Sequence, residues 1–162
     1  MATLHLLHGS VGSGKTTFAR QLERQIRAVR FTPDEWMTRL YGDRPPVETI
    51  QETLDRLYEL IWEHAGRVLR TGTDVILDCG FWTRASRDEA RRRAAAFGAS
   101  CRFYVINCPA DVARQRVLRR TAELPAGAFW INEPAIDVLN GRVEPLGPDE
   151  EFIAVDGGAD AH

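Results

Sequence analysis

Lysine is all but missing from this chain: of its 21 basic residues only Lys15 is a lysine, and the rest are arginines. Other scarcities narrow the field before any motif is read. Three cysteines, Cys79, Cys101 and Cys108, are an odd number without C-x-x-C spacing, which excludes a disulfide framework and fits reduced thiols and a cytoplasmic location. Four histidines, at positions 5, 8, 64 and 162, are too scattered for a metal cage. No run approaches the ~18 apolar residues of a membrane span, and no leader pattern opens the chain, so neither membrane insertion nor secretion is expected. A formal net charge of −2 argues against a dedicated nucleic-acid binder. Without repeats, low-complexity tracts or a long linker, 162 residues at 44% hydrophobic and 27% charged suit one soluble domain over residues 1–162.

Against an arginine-rich background of the kind genome base composition produces, the single lysine is informative. It sits in "HGSVGSGKTT", where Gly9, Gly14, Lys15 and Thr16 satisfy G-x-x-x-x-G-K-[ST] in full and Gly12 adds a further glycine. The apolar run before it, Leu4 to His8, reads as a buried strand, and Phe18, Leu22 and Ile26, four apart, mark a helix face after it. Strand, glycine loop and helix form a phosphate cradle: backbone N–H groups converge on phosphate oxygens and the helix N-terminus adds its positive dipole end. The loop expected to hold the nucleotide is Gly9, Ser10, Val11, Gly12, Ser13, Gly14, Lys15, Thr16 and Thr17. A compact ammonium reaches the β- and γ-phosphates where a broad guanidinium would not fit equivalently, and the Thr16 hydroxyl suits Mg²⁺.

The rest of the chain alternates strands and helices. Strands are expected over 28–33, 74–80, 101–108 and 150–155. A long helix carries Val47, Ile50, Leu54, Leu57, Ile61, Ala65 and Val68 at 3 and 4 spacing, another runs over 86–98 from a Ser86-x-x-Glu89 capping box, and a helical piece covers 111–120. This pattern predicts an α/β fold: three layers, α/β/α, around a central, mostly parallel five-stranded sheet, with the site at the strands' carboxyl ends.

Asp78 closes the run Val75, Ile76, Leu77, Asp78, which fits either a carboxylate holding Mg²⁺ opposite Thr16 or a strand-terminal turn residue. Asp34 follows the second strand in "FTPDEWMTR". Thr32-Pro33-Asp34-Glu35 reads as a capping box with proline in the first turn, and equally as a place to fix a carboxylate that accepts a proton from an acceptor hydroxyl; the two are compatible. Arg116 and Arg120 share a helical face and suit a clamp on transferring phosphate, against the alternative of a solvated arginine face that also contains Arg114 and Arg119. Arg91 to Arg93 read mainly as solvated surface. Trp36, Tyr41, Phe81, Trp82, Phe129 and Trp130 stand where aromatics either stack on a ligand or pack.

Together, "GSVGSGKTT", the Asp after the second strand, "VILDCGFWTRASRDEARRRAAAFG", "NCPADVARQRVLRR" and "EPLGPDEEF" resemble a bacterial group of small P-loop kinases, often grouped as ATP-binding "AAA-domain" proteins. Relatives of that group include chloramphenicol phosphotransferase, zeta toxins and the kinase domain of polynucleotide 5′-kinases. The resemblance covers nearly the whole chain. It implies Lys15 and Thr16 on nucleotide and Mg²⁺, Asp34 as general base, and Arg116 with Arg120 as arginines of a lid around 111–130. Polynucleotide kinases tend to place an arginine three residues after the base, where this chain has Met37; the nearest is Arg39. Segment 121–149, rich in Pro, Gly and aromatics, is expected to shape the acceptor pocket, with Asp34, Arg39, Trp82 and Arg84 as candidate acceptor contacts.

The leading expectation is a kinase that moves the γ-phosphoryl group of ATP, with Mg²⁺, to a hydroxyl of a small molecule. A nucleic-acid 5′-hydroxyl as acceptor, and an ATP-binding regulator with no acceptor, are the alternatives. A GTPase is disfavoured because N-K-x-D needs a second lysine and "NCPAD" at 107–111 lacks it; no L-S-G-G points to a transport ATPase.

Overall fold

The computed structural model describes residues 1–158; His162 and the end of the domain expected over 1–162 lie outside the described residues. Its order is β1 (Thr3–His8), α1 (Lys15–Ile26), β2 (Val29–Phe31), α2 (Pro33–Tyr41), α3 (Ile50–Arg70), β3 (Val75–Leu77), α4 (Arg84–Ala96), β4 (Ser100–Asn107), α5 (Ala110–Glu123), α6 (Glu133–Asn140) and β5 (Ile153–Asp156). The five strands form one sheet in the order β2-β3-β1-β4-β5, and every neighbouring pair is parallel. The sheet is therefore wholly rather than mostly parallel.

Strand alternation divides the core into two layers. Leu4, Leu6, Val75, Leu77 and Phe103 face α3 and α4, where Leu57, Ile61, Trp62, Ala65, Ala90 and Ala94 meet them. Leu7, Ile76, Tyr104 and Ile106 point the other way, onto Ala19 and Leu22 of α1. These layers are the α/β/α sandwich that the alternation predicts. β1 lies centrally with β3 on one side and β4 on the other, so the chain leaves it at the switch point where such sheets open a crevice. A third, smaller cluster of Val11, Val117 and Ile136 seats α5 and α6 against the glycine loop.

Several local expectations are corrected. Val47 is exposed and precedes α3, which starts at Ile50. Helix α4 starts at Arg84, capped by Thr83, whose hydroxyl accepts from the Ser86 N–H; Glu89 pairs instead with Arg92 and Arg93. Glu150 is not a strand residue but a buried ligand of Arg87. Within the 121–149 segment lies an unforeseen helix, α6, capped by Asn132. Of the three clustered arginines, Arg92 is exposed, whereas Arg91 lies over Phe103 and Arg93 over Trp62, both ion-paired.

Candidate active site

The glycine loop turns from β1 into α1 under tight steric constraint. Gly12 (φ +79°) lets the loop touch α5: a Cβ there would stand 2.3 Å from the Ala113 carbonyl oxygen. Gly14, at φ +101°, caps α1 in a left-handed conformation that a side chain disfavours. Asn140, the last residue of α6, accepts from the Val11 N–H through its side chain, so α6 braces the loop from outside. The Ser13 hydroxyl is buried without a hydrogen-bond partner among the described residues, inside a loop whose fold gathers donors.

Lys15 donates to the carbonyls of Gly9 (2.9 Å) and Ser10 (2.6 Å), so its ammonium lies folded along its own loop. Burial lowers its pKa to about 8, an effect that Asp78 and Asp34 oppose and Arg120 reinforces. Thr16 donates to Asp78 Oδ2 at 2.7 Å, and Thr32 donates to the same oxygen at 3.2 Å. Asp78 is buried, and that burial raises its pKa despite the two hydroxyls and Lys15. The Thr32 side chain does not cap α2 at all. It is turned onto Asp78, while Glu35, the other half of the expected capping box, takes Arg20 and Arg30.

Asp34 is exposed in the first turn of α2. The protein crowding its carboxyl disfavours the charge, Asp78 adds repulsion, and its pKa rises to about 6 although Arg120 and Lys15 pull it down. Arg120 thus acts on both Asp34 and Lys15, and its Nε is buried with no hydrogen-bond partner among the described residues. Arg116 sits one turn earlier: its guanidinium donates to the Gly157 and Gly158 carbonyls after β5 and to Cys108 Sγ at 3.6 Å. It also lies beside the glycine loop, 3.8 Å from where a Cβ on Gly14 would stand.

Of the candidate acceptor contacts, the structure brings only Asp34 into this charge cluster. The Trp82 indole donates to the Gly9 carbonyl at 2.9 Å and packs with the cluster of Val11, Val117 and Ile136, bracing the loop. Arg84 is bidentate to Asp149 and reaches Asp88, tying α4 to the segment before β5. Arg39 is exposed in the last turn of α2. Residues 124–131 cross toward α2 and its exit: the Trp130 N–H donates to the Asp43 carbonyl at 3.2 Å and Arg44 lies 5.0 Å over the Trp130 ring. Arg114 joins α5 to α6 through Asp137.

Sequence reading missed Tyr58 on α3. Burial raises its phenol pKa, and Cys79, Asp34, Asp78 and Asp55 all add to the rise, which places the ring among the cleft's acidic groups. The only signal was its position next to Leu57 on a helix whose core face also carries Leu54 and Ile61.

A parallel sheet in this order, a glycine loop on the N-terminus of α1, and a hydroxyl–carboxylate pair beside the loop lysine define a P-loop nucleoside-triphosphate-binding fold. The chain belongs to the AAA-domain family, whose profile matches residues 4–146. Its fold is that of small P-loop kinases. A sugar kinase from Janibacter sp. HTCC2649 superposes with a TM-score of 0.67 at 20% identity, covering 97% of this chain and 86% of that one. The APS kinase CysC of Mycobacterium tuberculosis, solved with AMPPNP and APS, gives 0.60 at 17% identity over 96% and 88%. A chain of the Pnkp1/Rnl/Hen1 RNA repair complex gives 0.71 at 25% identity over 87% of this chain and 43% of that one. Among curated proteins, none matches the sequence. No helix among the described residues is long and apolar enough to cross a membrane.

Proposed function

We propose that this protein is an ATP-dependent phosphotransferase that moves the γ-phosphoryl group to a hydroxyl of a small molecule. The observation that carries the reading is the convergence of Lys15, Arg120 and the Thr16–Asp78 pair around one further carboxylate, Asp34, whose pKa lies near its working range. The acceptor oxygen attacks the γ-phosphorus, the bond from that phosphorus to the bridging oxygen breaks, and ADP departs. The acceptor proton passes to Asp34 and then to water. Lys15, the Ser13 hydroxyl and the loop N–H groups bind the donor phosphates, and the buried Arg120 Nε, without a hydrogen-bond partner among the described residues, receives charge that builds on the phosphoryl group.

Mg²⁺ fits the donor set: Thr16 and Asp78 offer hard oxygens, and no cluster of three or more His, Cys, Asp or Glu among the described residues offers a rival cage. Bound there, the ion supplies neutralisation of phosphate charge. Residues 111–130 serve as the lid and 121–149 shape the acceptor pocket, a division supported by the contact of 130 with 43 and 44. The likeness to the RNA repair chain keeps a polynucleotide acceptor as the second reading. Position 37, where an arginine would be wanted for it, holds a methionine fully buried in the core.

The test is transfer of labelled γ-phosphate from ATP to a panel of hydroxylated antibiotics, nucleosides, sugars and 5′-hydroxyl oligonucleotides, with Asp34→Asn beside the wild type. Transfer to a small acceptor, reduced by about 10²-fold or more in the variant, is the expected result. Because a base acts deprotonated, the wild-type rate should rise with pH through about 6 and then level off. Nucleotide binding with no transfer to any acceptor would instead favour a regulator.

Arg120→Ala should lower kcat by about 10²-fold while changing nucleotide affinity little, since its Nε has no hydrogen-bond partner among the described residues. Equal losses in affinity and in kcat/KM, with kcat unchanged, would make it a ground-state contact instead.

A further inference from the structure

Resting on the nucleotide-binding part of the function proposed above, we infer that Gly157, the first residue after β5, is a positioning residue for phosphate. Its bare Cα sets the Ser13–Gly14 peptide of the glycine loop so that the Gly14 N–H is a donor to the nucleotide.

The chain leaves β5 at Asp156 and enters a turn at Gly157 and Gly158. The Gly157 N–H donates to the Asn107 carbonyl at 2.7 Å, which carries the β4–β5 pairing one residue past the strand. The Gly158 N–H donates to Asp156 Oδ1 at 2.8 Å. From α5, the Arg116 guanidinium donates to both glycine carbonyls. The turn is therefore tied to β4, to its own strand and to α5, and it stands against the loop as a fixed stop.

What it stops is one peptide group. A Cβ on Gly157 would overlap the Ser13 carbonyl oxygen and stand 2.7 Å from Ile106 Cγ2. Gly157 is not among the glycines with positive φ, so the demand is for space and not for a left-handed backbone. From the loop side, a Cβ on Gly14 would stand 3.6 Å from the Gly157 carbonyl oxygen. The Ser13 carbonyl thus lies on the turn, and in a trans peptide the N–H of the next residue points the opposite way. That N–H belongs to Gly14, the cap of α1, where backbone donors and the helix dipole favour an anion. Gly12 meets α5 at another point of the loop, whereas Gly157 bears on the peptide that leads into the helix. Any side chain at 157 has to push the Ser13 carbonyl aside. Turning that peptide swings the Gly14 N–H off the phosphate and loses a hydrogen bond to a charged group.

The test compares full-length Gly157→Ala with Gly158→Ala and the wild type. Both substitutions restrict the unfolded chain alike, but a Cβ at 158 meets side-chain atoms of Asp156 and Pro109 no nearer than 3.2 Å. The ligands, titrated calorimetrically, are Mg·ADP and Mg·tripolyphosphate, the second having neither base nor ribose. Gly157→Ala should weaken both by about tenfold or more, and Gly158→Ala by less than about twofold. In NMR spectra of the wild type the Gly14 amide proton should move downfield with either ligand, and in Gly157→Ala that shift should shrink. Affinities of Gly157→Ala equal to the wild type, a loss for Mg·ADP that spares tripolyphosphate, or equal losses in the two glycine variants would each overturn the inference. If Gly157→Ala does not fold, the wild type decides through amide exchange: Mg·tripolyphosphate should slow the Gly157 N–H together with that of Gly14, and slowing confined to the loop would overturn the coupling. A wild type that binds neither ligand would overturn the phosphate loop and this role with it. The expected loss of both ligands, in a protein that transfers phosphoryl to no acceptor, would uphold the role of Gly157 and count against the phosphotransferase reading alone.

Discussion

Lys15→Ala should lose phosphoryl transfer by about 10³-fold or more and leave the fold intact. The two halves of that expectation have separate causes. Among the described residues the ammonium is bound only to the Gly9 and Ser10 carbonyls of its own loop, and burial brings its pKa down to about 8. A lysine whose pKa falls on folding has a charged form that the folded state disfavours at neutral pH, a penalty relieved only as pH rises through about 8. Removing it therefore takes nothing essential from the empty fold, and the melting temperature of the variant should equal or exceed that of the wild type. With nucleotide the balance reverses, because the same ammonium is the only lysine charge available to leave the loop carbonyls for phosphate oxygens. Thermal melts with and without Mg·ATP separate the cases: the wild type should be shifted upward by ligand and the variant much less. Wild-type turnover by Lys15→Ala would remove the phosphate-loop role.

The loop was legible because its chemistry is written in nine adjacent residues, and the layers were legible because strand and helix periods differ. What escaped the sequence lies in contacts between distant positions. Thr32 and Glu35 have capping-box spacing, yet Asp78 and Arg30, brought alongside by β3 and β2, compete for their side chains and win. Ser86 and Glu89 fail in the same way, since Thr83 supplies the cap one turn earlier and the arginines of α4 occupy Glu89. Helix α6 hid in a segment whose composition reads as loop; Asn132 starts it, and Ile136 gives it a core contact that only the fold of α5 provides. Arg116 and Arg120 share a face by spacing, but the hold of Arg116 on the carbonyls after β5 joins positions 41 and 42 residues apart, which no local spacing foretells. Tyr58 is 24 positions from Asp34, and no local pattern marks a helical tyrosine as facing a carboxylate rather than the core.

The largest stability effect belongs to a pair that the sequence concealed entirely. Arg87 is fully buried on α4 and clasps Glu150 with two 2.9 Å hydrogen bonds, while its remaining donors reach the carbonyls of Phe81, Trp82, Glu144 and Pro145. Phe81 holds φ +43°, a left-handed conformation that costs a bulky residue free energy, and its carbonyl takes hydrogen bonds from both Arg87 and His8. The ion pair thus fixes the turn that follows Asp78 and that sets the Trp82 indole on Gly9. Glu150→Ala leaves a guanidinium that cannot lose its charge buried among carbonyls, which should cost about 3–5 kcal/mol. That is a large part of the roughly 5–15 kcal/mol of a typical domain, and for this length it lowers the melting temperature by about 10 °C or more. Replacing both partners, as Arg87→Met with Glu150→Leu, should recover much of the loss, because no charge is then left without its counterpart. The pair also sets an acid limit. Arg87 holds the Glu150 carboxyl well below the usual carboxylate range, so its contribution is complete above the unfolded value of about 4.3 and fades as pH falls below it. Urea denaturation at pH 7 and pH 3.5 should show a wild-type loss between the two that is smaller in Glu150→Gln; a Glu150→Ala variant within about 1 kcal/mol of wild type at pH 7 would show that the turn is held by its other contacts.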